Sequence, residues 1–293
     1  MIAGFTRSFV PIGEVTLSVH RAGRGVPLIL LHGYPQNHHC WARVAPRFAQ
    51  DFDVIVPDLR GYGDSDAPAD DADHTTYAKR TMARDIVGLM DALGLDRAHV
   101  LGHDRGARVA YRLALDHPER VRRLGIIEIV PTGDFWAGWT ADLAMKAYHW
   151  TFLAQPAPLP ERMIAADAAG YTDWTLTAWT RAKSLDVFAP DALDSYRAQM
   201  AGRAAAMCAD YRAGATTDRR IDDTDRATGA RISAPLHFLW AEAGFPAQTG
   251  DPLAIWQRWA WQVTGNACRS GHFAMEENPQ AVLDAFVPHF RQD

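Results

Sequence analysis

The chain has 293 residues, of which 48% are hydrophobic and 22% charged, so it is long enough to bury a large core and shows no sign of disorder. A formal net charge of -5 without long runs of lysine or arginine argues against a nucleic-acid partner. The first fourteen residues include charged and polar side chains and no continuous apolar stretch, which predicts a cytoplasmic protein without a membrane segment.

Short apolar runs alternate with helical patterns through the first part of the chain. A weakly alternating segment up to His20, with Pro-Ile-Gly at 11–13, predicts a β-hairpin, and residues 81–93 predict a helix. Further strands are predicted at 26–31, 54–56, 98–101 and 124–129. This alternation predicts an α/β fold, a mostly parallel eight-stranded sheet with helices on both faces, whose site lies at the carboxyl ends of the strands.

After Pro131 the pattern changes to a long stretch rich in tryptophan and alanine with helical spacing. We interpret residues 131–225 as an inserted helical cap, which divides the core into residues 1–130 and 226–293. Strand patterns return at 235–240 and 261–264, and a final helix is predicted at 279–290 with Asn278 as its cap.

The three cysteines are widely separated and odd in number, which argues against a disulfide framework or a zinc site. We expect Cys40, Cys208 and Cys268 to be free thiols buried as small hydrophobic residues. No metal and no cofactor is expected.

The most informative stretch is Gly102-His103-Asp104-Arg105-Gly106. It lies between a predicted buried strand and a predicted helix, which is the strand-to-helix turn of a nucleophile elbow. A carboxylate at this position can displace a leaving group from saturated carbon and form an ester that water then hydrolyses. Asp104 therefore predicts an alkyl halide or an epoxide as substrate.

Two arginines beside the nucleophile narrow that choice. Arg105 and Arg108 lie three residues apart at the start of the helix and so share a face near its positive end. A carboxylate that attacks an anion meets a repulsion of about 4 kcal/mol at about 4 Å and an effective dielectric of about 20. Guanidinium groups next to Asp104 therefore indicate a negatively charged substrate, whose carboxylate they bind.

With these residues the sequence resembles the fluoroacetate and haloacetate dehalogenases of the α/β-hydrolase superfamily, which carry an HDRGxR segment at this elbow. The resemblance covers nearly the whole chain and implies a homodimer. It also implies a late general base, which we assign to His272 in Ser270-Gly271-His272-Phe273.

The acid that orients His272 is open between two residues. The dehalogenase pattern has an aspartate after the sixth strand, where this chain departs from it with Glu128. A carboxylate in the apolar run Ile127-Glu128-Ile129 would be costly to bury without a partner, and an imidazole supplies one. The rival is Glu242, which follows the predicted strand 235–240, where most superfamily members keep their acid.

The resemblance also implies the groups that stabilise charge. The main-chain amides of Tyr34, in His32-Gly33-Tyr34-Pro35, and of Arg105 are expected to form the oxyanion hole. His149, Trp150 and Tyr211 match the family's halide pocket, and Trp179 is a further candidate for its wall. His32 and His103 are expected to pack around the turn, and Asp58 to hold backbone.

These assignments give a hypothesis, the hydrolysis of a haloacetate to glycolate and halide through an ester on Asp104. Two alternatives stay open. An epoxide hydrolase would share Asp104 and His272 and could use Tyr148 and Tyr171 beside Tyr211, although a neutral epoxide gains nothing from paired arginines. A non-catalytic receptor on the same fold would be expected to lose the nucleophile or the base, and both are present.

Overall fold

The computed structural model describes residues 2–242 and 244–292. Eight of its strands form one sheet in the order β1-β2-β4-β3-β5-β6-β7-β8. The strands are β1 Thr6–Pro11, β2 Thr16–Gly23, β3 Pro27–Leu31, β4 Asp53–Pro57, β5 Ala98–His103, β6 Val121–Ile127, β7 Leu236–Ala241 and β8 Val263–Cys268.

The sheet is parallel from β4 to β8. Strands β1 and β2 form an antiparallel hairpin, and β2 also runs antiparallel to β4. All the remaining pairings are parallel. The predicted α/β fold with a mostly parallel eight-stranded sheet is therefore confirmed.

The α-helices of the described residues fall into three groups along the chain. Before the elbow lie α1 Ala45–Phe48 and α2 Lys79–Ala92, and the elbow opens α3 Asp104–Asp116. Between β6 and β7 lie α4 Thr132–Ala137, α5 Ala141–Lys146, α6 Tyr148–Leu153, α7 Leu159–Ala166, α8 Ala168–Trp179, α9 Pro190–Ala215 and α10 Thr217–Thr228. The last are α11 Pro252–Trp259, α12 Ala274–Glu277 and α13 Pro279–Arg291.

Both faces of the sheet are covered, and β3 shows how the sequence achieves this. Successive side chains of a strand point to opposite faces. Ile29 and Leu31 pack into a core that includes α2 and α3, whereas Leu28 and Leu30 pack into a second core that includes α1 and α13. Because both sets are fully buried, the strand has a continuous apolar sequence.

The helices α4 to α10 form a helical insertion, residues 132–228, between two neighbouring parallel strands. Its helical character agrees with the sequence pattern, although the last helix ends at Thr228 and not near 225. That the insertion is a cap domain with these boundaries stays a prediction. None of the described helices has the length and apolar character required to cross a membrane.

Two predicted strands have different ends in the structure. The last strand, predicted at 261–264, is Val263–Cys268, and Trp261 lies outside it. β8 pairs only with β7 and is therefore an edge strand. Half of its residues are exposed, so its sequence can include the polar stretch Thr-Gly-Asn, which lacks the pattern of a buried strand. β6 ends at Ile127, so Glu128 lies just beyond the strand, with a positive φ of 62°.

Candidate active site

Asp104 occupies a sharp turn between β5 and α3. Its φ is 47°, in the left-handed region that is rare for residues with a side chain. The turn is crowded, since a Cβ on Gly106 would overlap the main-chain oxygens of Leu31 and His32, and one on Gly33 would overlap Asp104. The glycines thus allow the chain to pass close enough to present Asp104 at the end of the strand.

The Asp104 carboxylate has different surroundings at its two oxygens. Oδ1 accepts a hydrogen bond from the Tyr34 main-chain N–H at 2.9 Å, and Oδ2 lies 3.8 Å from Nε2 of His272. Burial by itself raises the pKa of Asp104, but His272, His103, Arg105 and Arg108 lower it, and the net shift is downward. Asp104 is therefore an ionised carboxylate in a buried site.

His272 lies between Asp104 and Glu128. Its Nδ1 is 3.9 Å from Oε1 of Glu128, which is too long for a hydrogen bond but close enough for the carboxylate to stabilise a protonated ring. Glu242 is half exposed and faces Arg181 at 4.0 Å. Of the two candidate acids, the structure brings only Glu128 to His272.

The Glu128 carboxylate is held by backbone from the end of β7 and from the loop after it. Oε2 accepts from the Ala241 N–H at 2.6 Å, and Oε1 accepts from the Phe245 N–H at 3.1 Å. Burial raises the pKa of Glu128, and these N–H groups together with His272 oppose that shift. The loop fixes the acid at one place relative to the imidazole.

Arg105 is fully buried and is engaged by an acid of the helical insertion. Its Nε and Nη2 donate to the two carboxylate oxygens of Asp210 at 3.1 and 2.5 Å, and Nη2 also donates to the Asp210 main-chain oxygen. Asp210 is also paired with Lys79 and accepts from the Tyr62 hydroxyl at 2.8 Å. Only Nη1 of Arg105 is left without a hydrogen-bond partner among the described residues.

Arg108 differs from Arg105 because no carboxylate of residues 2–242 and 244–292 forms an ion pair with it. Its Nη1 donates to the Val130 main-chain oxygen and to the Thr132 hydroxyl, both at 3.0 Å, and its Nε has no partner in the described chain. Burial lowers the pKa of Arg108, although an arginine keeps its charge even so. A buried charge is costly unless it is paired, so Arg108 would gain from an anionic partner.

An aromatic cluster from the helical insertion lies next to Asp104 and His272. His149, on α6, lies 4.3 Å from Trp179 and 5.5 Å from Tyr211 between ring centroids. Trp150 packs against Tyr211, and Trp179 lies edge-on to His272 at 5.3 Å. The structure therefore brings all four predicted pocket residues together at the elbow.

Two of these side chains, His149 and Tyr211, are uncharged. Burial lowers the pKa of His149 well below its ordinary value, so its ring is neutral, and burial raises the pKa of Tyr211 well above 10. The Tyr211 hydroxyl and Nδ1 of His149 are buried and find no hydrogen-bond partner among the described residues. Buried polar groups are normally paired, so these two are unsatisfied donors or acceptors near Asp104.

The structure also agrees with the structural roles expected for three other residues. His32 accepts from the Leu59 N–H at 3.0 Å, and His103 contacts the His272 main-chain oxygen at 2.8 Å through Nε2. Asp58 accepts from the N–H groups of His38 and Asp64. Each fixes loop backbone next to the site.

Sequence reasoning missed several residues that shape the site. Asp210 and Lys79 set the charge around Arg105, and neither lies in a recognisable motif. Asp210 immediately precedes Tyr211 in an alanine-rich helix, and an acid in this setting could have indicated a buried partner for a cation. Phe245 packs on His272 at 5.3 Å and on Trp179 at 5.6 Å, but nothing in its local sequence indicated this.

The tyrosines of the epoxide hydrolase alternative are arranged differently from Tyr211. The Tyr171 hydroxyl is 3.3 Å from that of Tyr34, so the two are paired with each other. Tyr148 packs on His149 and Phe152. Tyr211 alone of the three candidates has a buried hydroxyl without a partner in the described chain.

Comparison with known proteins agrees with this geometry. The sequence profile of the alpha/beta hydrolase fold matches residues 26–279. The chain is 39% identical to a fluoroacetate dehalogenase of Burkholderia sp over 95% of its length and 91% of that protein. It is 35% identical to a soluble epoxide hydrolase of Corynebacterium sp. (strain C12) over 92% of its length and 91% of that protein.

Solved structures of similar sequence share the whole architecture. An alpha/beta hydrolase described from Nostoc sp PCC 7120 superimposes with a TM-score of 0.96 at 41% identity, covering 100% of both chains. A structure from Pseudomonas aeruginosa, described as an epoxide hydrolase, has a TM-score of 0.93 at 43% identity, covering 99% of this chain and 96% of that one. The elbow, the sheet and these similarities together show that the chain belongs to the alpha/beta hydrolase family.

Proposed function

We propose that this hydrolase acts on a small haloacetate, fluoroacetate or chloroacetate, and releases glycolate and a halide ion. The observation that carries the proposal is Arg108, a buried guanidinium without an acid partner in the described chain, one helical turn from the Asp104 nucleophile. A site for a neutral substrate has no use for this charge. The carboxylate of a haloacetate would supply the missing partner, with help from Nη1 of Arg105.

In the first step, Asp104 would attack the carbon that bears the halogen. Because Oδ1 is held by the Tyr34 N–H, Oδ2 is the better placed nucleophile. The new carbon–oxygen bond forms as the carbon–halogen bond breaks, and the halide leaves with the bonding electron pair. The unpaired Tyr211 hydroxyl, together with His149 and Trp150, would stabilise the departing ion.

In the second step, water would attack the carbonyl carbon of the Asp104 ester. His272 takes a proton from the water, and Glu128 stabilises the resulting imidazolium. The oxyanion forms at Oδ1, against the N–H groups of Tyr34 and of Arg105, the latter in the unbonded first turn of α3. When this tetrahedral intermediate collapses, the bond to the glycolate oxygen breaks, His272 returns its proton to that oxygen, and the Asp104 carboxylate is regenerated.

A halide-release panel tests the proposal directly. Fluoroacetate, chloroacetate, bromoacetate and a 2-halopropionate are supplied in parallel, with styrene oxide assayed for diol. Halide release from the acetates, together with an ester mass on the Asp104 peptide of a His272→Ala variant, supports the proposal. Diol formation without halide release would replace it by the epoxide hydrolase alternative.

That alternative has a specific basis and is kept as the second candidate. The chain is 35% identical to a soluble epoxide hydrolase, and the unpaired Tyr211 hydroxyl could donate to an epoxide oxygen. The buried charge of Arg108 is what favours the haloacetate.

We also propose that the protein is a cytoplasmic homodimer. Large apolar side chains are exposed on the helical insertion, namely Met145, Leu159, Met163 and Trp174. A pairing surface of this kind would cover them. Sedimentation equilibrium of the purified protein tests the dimer, and cell fractionation tests the location.

A further inference from the structure

The loop that carries the general base is joined directly to the helical insertion. The main-chain N–H of His272 donates to the Trp179 main-chain oxygen at 2.9 Å. Gly271 lies so close to this segment that a Cβ on it would overlap the Trp179 oxygen and the Arg181 nitrogen. Two stretches far apart in sequence, 271–273 and 179–181, therefore cross in contact.

The carboxylate of Glu277 binds backbone on both sides of this crossing. Oε2 accepts from the N–H of Arg181 at 2.7 Å and from the N–H of Gly271 at 2.9 Å. Oε1 accepts from the N–H of Phe273 at 3.1 Å. Hydrogen bonds to an ionised acceptor are about twice as strong as neutral ones.

We infer that Glu277 is a positioning residue that fixes the His272 loop against the helical insertion, so that the base and the wall of the leaving-group pocket keep one relative placement. It touches no reacting atom. It acts on the residues before and after His272, and on the segment whose Trp179 ring packs on the imidazole.

This inference rests on the proposed two-step reaction, and it predicts that the two steps depend differently on Glu277. Ester formation uses Asp104, the arginines and the donors of the pocket. Ester hydrolysis also needs His272 within reach of a water at the ester carbonyl. Loosening the loop should therefore slow the second step and leave the first nearly unchanged.

Glu277→Gln tests this, because it keeps the size of the side chain and replaces one acceptor oxygen by an N–H donor group. Rapid-quench mass spectrometry follows the ester on the Asp104 peptide. Ester decay is expected to slow about tenfold, as for a small misplacement of a catalytic group, while ester formation changes by less than about twofold. In steady state kcat and KM then fall together, kcat/KM is preserved and ester accumulates.

Glu242→Gln is the matched control. It also removes a carboxylate charge near Arg181, but the Glu242 side chain is exposed and forms no hydrogen bond with residues 270–273 in the described chain. It should leave both rates unchanged. Glu277→Asp keeps the charge but shortens the side chain, so it should slow ester decay less than the glutamine variant and still spare ester formation. It serves as the second variant if the glutamine variant does not fold.

Hydrogen exchange separates this inference from the proposed function. In Glu277→Gln the amides of 271, 273 and 181 should lose protection together. Equal slowing of ester formation and decay, or unchanged rates, would overturn the inference. If the wild type forms no ester, the proposed function fails instead. Hydrogen exchange then tests the positioning role by itself, and unchanged protection at these three amides rejects that role.

Discussion

Gly244 lies so close to the carboxylate of Glu128 that a Cβ built on it would overlap Oε1. Glu128 cannot easily move aside, because the Ala241 and Phe245 N–H groups hold both of its oxygens. The position of the acid beside His272 thus depends on the missing side chain at Gly244. The dehalogenase pattern has the shorter aspartate at this place, and the glycine makes room for the extra methylene.

Gly244→Ala should displace Glu128 and slow the reaction about tenfold or more, since the imidazole loses its fixed partner. Shortening the acid should relieve the overlap. We therefore expect the double variant Glu128→Asp with Gly244→Ala to be more active than Gly244→Ala alone. Steady-state rates of the wild type, both single variants and the double variant measure this coupling; strictly additive losses would contradict the relationship.

The two candidate acids can be compared by the same substitution. Glu128→Gln removes the charge beside His272 and should lower kcat by about 10²-fold to 10⁴-fold, as in other catalytic triads. Glu242→Gln changes an exposed side chain and should stay within about twofold of wild type. Equal effects of the two substitutions would show that Glu128 is not the orienting acid.

Arg105 and Arg108 should respond oppositely in stability. Arg105→Met leaves Asp210 without its bidentate partner, and breaking a buried ion pair costs about 3–5 kcal/mol. Arg108→Met removes a buried charge that lacks an acid partner in the described residues, so the free energy of unfolding of this variant should match or exceed that of the wild type. Both variants should raise KM for haloacetate. Urea unfolding and substrate titration of each variant provide the measurements.

The Tyr211 hydroxyl should matter most for the poorest leaving group. Tyr211→Phe removes one donor, which costs about 10²-fold where charge develops in the transition state. We expect this loss with fluoroacetate and a smaller one with bromoacetate, since bromide needs less stabilisation. Tyr148→Phe, a change on the neighbouring α6, is the control. If both substrates slow equally in Tyr211→Phe, the hydroxyl does not act on the halide.

The stability of the protein should fall as the pH rises through neutrality because of Glu276. Its buried carboxyl accepts hydrogen bonds from the neutral Gln36 side chain and Tyr196 hydroxyl, while Arg43 contacts only its main-chain oxygen. Burial raises the pKa of Glu276 from 4.5 to about 8. Between these values the folded state binds more protons than the unfolded chain, so the free energy of unfolding decreases with increasing pH.

Glu276→Gln should remove this dependence. The variant is expected to be more stable than wild type at pH 9, and its unfolding free energy should be flatter between pH 5 and pH 9. Chemical denaturation across this range is the measurement. Glu119→Gln, at an exposed side chain, should keep the wild-type slope. A wild-type slope in Glu276→Gln would assign the titration to another group.

The sequence predicted the fold well because its signals are local. The apolar run of β3, the elbow around Asp104 and the Asn278 cap of the last helix, which accepts from the Ala281 N–H at 3.2 Å, are all short patterns. The predicted position of β8 was shifted from the observed one because the sequence of an exposed edge strand carries little hydrophobic signal.

The site was less predictable where it depends on contacts between distant residues. The pairing of Arg105 with Asp210 joins residues 105 positions apart, and Glu277 meets Arg181 across 96 positions. Their composition is ordinary, and only the folded chain brings them together. Arg105 and Arg108 looked equivalent in sequence for the same reason, since the partner that distinguishes them lies on the helical insertion.

The proposed chemistry is divided between two parts of the chain. The nucleophile and the arginines belong to α3, and the base and its acid follow strands of the sheet. His149, Trp150, Trp179 and Tyr211, in contrast, all lie in one continuous stretch between β6 and β7. Leaving-group preference can therefore evolve, or be engineered, by exchanging residues 148–211 as a cassette. Such grafts would need to keep Asp210, which ties the exchanged piece to Arg105.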